Sequence, residues 1–144
     1  VSAGGTFTKS FTSTISETTT YTATATTTTN KSVQATKTIK FINPFYYGCS
    51  NSNSISNFSG LTEDLVEKPS SYVKTFSPSD QYIVLAYDKS YGTLKANKGI
   101  LDTNGFDETN GFTRSEITVD GEDFYVYISN NKKTETNFQM TFNF

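Results

Sequence analysis

Apolar and polar residues alternate along much of this chain, and that period of two is what most restricts its fold. Near the C-terminal end Phe138, Met140, Phe142 and Phe144 share one parity, while Gln139, Thr141 and Asn143 fill the other. Successive side chains of a strand point to opposite faces, so this spacing predicts a strand with one buried face, tied into a core through Phe144. The same alternation runs from Thr6 to Ile42. Phe7, Phe11 and Ile15 share a parity, as do Tyr21, Ala23 and Ala25, and later Val33, Ala35, Ile39 and Phe41, with Lys37 as the exception that predicts an exposed or edge position. Fifteen Thr and five Ser make up half of the first forty residues. β-branched and aromatic residues fit a pleated, half-buried surface, so composition agrees with pattern.

Turn chemistry divides the remaining chain into short strands. Val1–Gly5 reads as a linker or boundary segment, and Asn30-Lys31 as a hairpin turn. Pro44 cannot sit inside a central strand, so Asn43-Pro44 separates the Thr-rich strands of 6–43 from a second stretch, 44–144. There, residues 45–49 form an aromatic strand, 50–60 a polar loop and 72–76 another strand. Residues 81–87, apolar on both parities, read as a central strand covered on both faces. Asp120-Gly121 predicts a two-residue hairpin between 115–119 and 122–128. One helix signal stands out at 61–68: Thr62 as cap, Glu63 and Asp64 in the first turn, Pro69 as stop. The expected fold is all-β, a single antiparallel, Ig-like β-sandwich over 6–144 with that one short helix.

Several function classes lose their residues. The chain has no histidine, which removes Ser-His-Asp and Cys-His catalysis and histidine-ligated zinc. Its net charge is −2 with no cluster of Lys or Arg, so nucleic acid is not an expected partner. No apolar run approaches the ~18 residues of a spanning helix, so membrane insertion is not expected either. Cys49 is the sole cysteine, has no internal disulfide partner, and reads as a buried structural thiol. Glu63, Asp64, Asp107, Glu108, Glu122 and Asp123 lie in turns or at the helix start, where charge is solvated, rather than facing across a cleft as glycosidase carboxylates do. Residues 102–112 concentrate oxygen ligands, but Phe106 and Gly105 break the register of a calcium loop, and Asn-Gly turns account for them. No catalytic residue, metal or cofactor is expected, and the chain reads as a non-enzyme.

Tyrosine offers the remaining chemistry. Exposed rings stack on sugar faces, although a strand tyrosine more often packs with its hydroxyl reaching a partner. Tyr47 and Tyr91, each one residue from a glycine at a strand end, are the candidate glycan-binding residues.

The order of segments from 41 onward carries a resemblance. It runs F-I-N-P-F-Y-Y-G-C-S (41–50), a polar loop, G-L-T-E-D-L-V-E-K (60–68), Q-Y-I-V-L-A-Y-D-K-S-Y-G (81–92), N-G-F, a D-G hairpin ending F-Y-V-Y-I (124–128), and N-F-Q-M-T-F (137–142). This resembles the C-terminal module of bacteriophage tail-fibre, baseplate and related virion structural proteins, with Asp88 standing where such sequences often carry Pro. The Thr-rich residues before it match in character, as closing strands of an Ig-like unit. The resemblance implies a virion part made in the host bacterial cytoplasm, assembled with other virion proteins and contacting a host-surface glycan. It also implies a homo-oligomer, a trimer being favoured. About three strands precede Asn43, fewer than a complete Ig domain needs, so either they join the same sandwich as the later strands or upstream sequence is missing. The resemblance transfers no binding residues. The alternative is a carbohydrate-binding module or a bacterial surface adhesin domain.

Overall fold

The computed structural model describes residues 19–26, 28–40 and 42–144. The linker reading of Val1–Gly5, the strand placed around Phe7, Phe11 and Ile15, and the placement of Phe41 lie outside the described residues. The chain forms two compact units, one up to Phe41 and one from Ile42 to Phe144.

The first unit contains an antiparallel hairpin, β1 (Thr19–Thr26) and β2 (Ser32–Ile39). Asn30 takes positive φ in the connecting turn, a conformation its short polar side chain tolerates. The register sets Ala23 opposite Ala35 and Ala25 opposite Val33, so the apolar parities of the two strands coincide. The Thr20 and Thr38 hydroxyls meet across the ladder at 2.8 Å. The expected buried face is not formed by these strands: β2 is exposed throughout and Val33 is 71% exposed. Alternation fixes which residues share a face, but a two-stranded ribbon of Thr and Ala has too little apolar mass to bury one by itself.

The second unit is an antiparallel β-sandwich. Its five-stranded sheet runs in the order β4 (Thr62–Asp64), β3 (Phe45–Ser50), β6 (Tyr82–Asp88), β9 (Glu122–Ser129), β8 (Phe112–Val119). The facing sheet runs β5 (Ser71–Phe76), β10 (Phe138–Asn143), β7 (Ile100–Leu101). Short 3₁₀ turns at Lys89–Tyr91 and Thr109–Gly111 connect strands. Between the sheets Phe45, Ile83, Leu85 and Tyr87 meet Tyr72, Phe76, Ile100, Met140 and Phe142, all buried. β6 lies in the middle of its sheet, which is why both of its parities are apolar. Ile83, Leu85 and Tyr87 enter this core, while Val84 and Ala86 face the opposite side. The Asp120-Gly121 hairpin forms as its sequence predicts, with both residues at positive φ.

That opposite side has a core of its own. Val84, Ala86, Val126 and Ile128 are covered by Ile55, Phe58 and Leu61 from the segment between β3 and β4. Phe58 stacks on Tyr46 with centroids 3.8 Å apart and meets Phe124 edge-on at 4.7 Å. The polar loop expected at 50–60 therefore serves as a lid on the sheet.

The helix expected at 61–68 does not form. Thr62–Asp64 is an edge strand paired with β3, Tyr47 opposite Thr62 and Phe45 opposite Asp64, and no helix follows it. Asp64 and Val66 turn inward while Leu65 is 64% exposed, a period of two that a helix could not give. The acidic first turn and Pro69 are local signals. The free edge of β3 offers this backbone a ladder instead, and Asp64 finds a cation there. Among the described residues no helix is long and apolar enough to cross a membrane.

Candidate functional site

Both lateral openings of the sandwich, where the sheet edges approach each other, collect polar side chains. At the first, β4 and β5 meet. The inward parity of β5 is Tyr72, Lys74, Phe76, so a lysine occupies a core-facing position on an edge strand. Lys74 Nζ pairs with Asp64 Oδ2 at 2.5 Å and lies 4.7 Å from the Tyr47 ring centroid and 5.0 Å from that of Tyr72. The Tyr72 hydroxyl donates to the same Asp64 oxygen at 2.9 Å. The hydrogen bond from Lys74, and secondarily that from Tyr72, hold the Asp64 carboxyl below the usual carboxylate range against an opposing effect of burial. Burial, followed by the hydrogen bond to Asp64 and then its charge, drives the Tyr72 phenol far above its ordinary range.

Tyr47 belongs to this cluster, half-buried edge-on against Tyr72 and Phe76. Tyr91 lies in the same aromatic layer, 5.5 Å from Phe45, which in turn stacks on Tyr72 at 4.5 Å. Its hydroxyl accepts from the Asn43 N–H at 3.0 Å and donates to the Asn43 carbonyl at 3.3 Å, fastening the segment that enters β3. The two tyrosines named for glycan stacking therefore share one layer, and both are engaged with the core and its border.

The acids of loop 102–112 are engaged by the loop's own donors and by Lys98 and Lys133 beside it. Asp102 Oδ1 accepts from the N–H groups of Asn104 and Phe106, at 2.9 and 2.8 Å. Asp107 accepts from the Thr109 hydroxyl, the Thr109 N–H and the Lys98 N–H, and these donors, the hydroxyl first, hold its carboxyl below the usual range. Phe106 projects from this braced loop, 68% exposed. Among the described residues no group of three or more His, Cys, Asp or Glu side chains is placed to hold a metal ion. Asp123 accepts from the Thr118 hydroxyl at 2.7 Å, and Glu108 faces Lys133 at 3.9 Å. Cys49 is half-buried, and burial pushes its thiol up, opposed by a backbone hydrogen bond at Ser77. A raised thiol pKa disfavours the reactive thiolate.

The second opening, beside β8, holds a groove of about 360 Å³. Leu94, Phe112 and Tyr127 supply its apolar surface, Thr93 and Thr109 its hydroxyls, and Lys95 and Arg114 its charges. The Tyr127 hydroxyl accepts from the Leu94 N–H at 3.0 Å. Behind it the Tyr87 ring lies nearly parallel at 6.0 Å, fully buried, its hydroxyl without a partner among the described residues. Burial first, and the neighbouring Tyr127 phenol second, drive Tyr87 far above the usual phenol range. Sequence reasoning missed this groove, because its two cations stand nineteen positions apart in segments marked only by turns. The available signal was Arg114, the only arginine of the chain.

No protein-family model, curated protein or solved structure matches this chain.

Proposed function

We propose that this chain is a non-enzymatic structural and attachment module of a bacteriophage virion, belonging to a tail fibre or baseplate that contacts the host surface. The observation that carries the reading is where the reactive side chains are used. Asp64, Tyr72 and Lys74 close one opening of the sandwich, Tyr91 fastens the start of β3, and Asp102 and Asp107 brace a loop. Chemistry-bearing groups spent on shape are what a load-transmitting module needs, and the segment order from 41 to 142 supports the virion assignment. Virion neighbours and a repeated, trimeric arrangement are part of the proposal. A second reading, a carbohydrate-binding module or bacterial surface adhesin domain, is favoured by the charged groove beside β8. Competition for adsorption tests the proposal: the purified chain, in excess, should slow attachment of the phage that encodes it. Unchanged adsorption at saturating chain concentration would count against host contact.

A further inference from the structure

We propose that the groove between Lys95 and Arg114 binds an acidic saccharide, a sugar chain bearing carboxylate or phosphate groups. Its lining contains two cations and no carboxylate. Neither cation is in an ion pair among the described residues. The nearby acids are engaged elsewhere: Glu116 with Lys89 at 2.5 Å, Glu108 with Lys133, and Asp107 with the donors of Lys98 and Thr109. Unpaired cations in a concave surface focus a positive potential on whatever enters it.

The rest of the lining fits a sugar. Leu94, Phe112 and the Tyr127 ring give a C–H face something to pack on, while Thr93 offers a hydroxyl. The Tyr127 phenol accepts from the Leu94 N–H, which fixes the ring at the wall of the groove, 7% exposed. The volume falls in the range of roughly 300–1,000 Å³ typical of small-ligand sites.

The backbone that carries Lys95 and the guanidinium of Arg114 are both placed before any ligand arrives. The Lys95 N–H donates to the Asn143 carbonyl at 2.9 Å, and the Asn143 N–H returns to the Gly99 carbonyl at 2.7 Å. A Cβ on Gly99 would overlap the Lys95 carbonyl oxygen, so only glycine lets this loop close. The Arg114 guanidinium lies 5.1 Å from the Tyr125 ring centroid. A site fixed in this way loses little freedom on binding.

The inference rests on the attachment reading and names the class of ligand. It is tested by calorimetric titration of the full chain with a galacturonic-acid oligomer, a glycerol-phosphate oligomer, a neutral galactose oligomer and inorganic phosphate. The expected result is binding of at least one acidic oligomer, weakened by added salt and at least about tenfold tighter than the neutral one, a ratio of ~1.4 kcal/mol. Arg114→Gln and Lys95→Gln should each weaken it about tenfold with unchanged circular dichroism, whereas Lys132→Gln should not. Absence of binding to both acidic oligomers, equal binding of the neutral one, binding no tighter than that of inorganic phosphate, or equal loss in Lys132→Gln would overturn the inference. A chain present in virions but inert in these titrations would remove the groove and leave attachment standing. Binding by a chain absent from virions would do the reverse.

Discussion

At the scale of single residues, the most informative side chain is Lys74, a charge facing the core from the edge of a sheet. An inward charge on an edge strand resists pairing with another chain, and here Asp64 and two tyrosine rings make it tolerable. Because the Asp64 carboxyl is held below its ordinary value of 3.8, its contribution is present above the unfolded-state pKa and is lost as pH falls through the folded-state one. Asp64→Asn should therefore lower stability at pH 7 by about 1 kcal/mol. The difference should shrink as denaturant titrations move below about pH 4. A pH-independent difference would mean that Asp64 acts by packing rather than charge. Tyr47 shows what sequence can reach at this scale. Its place beside Gly48 at a strand end marked it as a special aromatic, but the partners that decide its role, Lys74 and Phe76, come from the opposite sheet.

At the scale of elements, strands were legible wherever a strong period of two met turn chemistry. β10, the β8–β9 hairpin and the doubly covered β6 follow directly from parity and from Asp120-Gly121. β4 was not legible, because helix-start chemistry at Thr62–Asp64 is local and the edge of β3 that recruits those residues is more than a dozen positions away. The 50–60 segment is the loop its composition predicts, but its packing was not legible, for a related reason. Ser and Asn dominate its composition, yet two of its few apolar residues, Ile55 and Phe58, cover the outer face of the sheet. Phe58→Ala should cost about 2–3 kcal/mol, less than a fully buried phenylalanine would, and expose the Tyr46–Phe124 face to a hydrophobic dye. An unchanged melting temperature would show that the segment is a passive connection.

At the scale of the whole molecule, the sandwich of Ile42–Phe144 contains its own two cores, one between the sheets and one under the 51–61 lid. Residues 42–144 expressed alone should therefore unfold cooperatively, with the amides of β6 and β9 the slowest to exchange. Non-cooperative melting would contradict an independent core. The charged groove was the part least available to sequence, since it exists only when the turn holding Lys95 and the edge strand holding Arg114 are brought together. The function we propose is drawn from the same scale: a sandwich whose reactive groups are spent on closure suits a structural part of a particle that must reach a host. The most direct measurement is immunogold electron microscopy, with antibody to this chain, of purified particles from the genome that encodes it. Discrete labelling at the tail fibre or baseplate is the predicted result; particles that carry no label, with the chain absent from their denatured protein, would contradict the account.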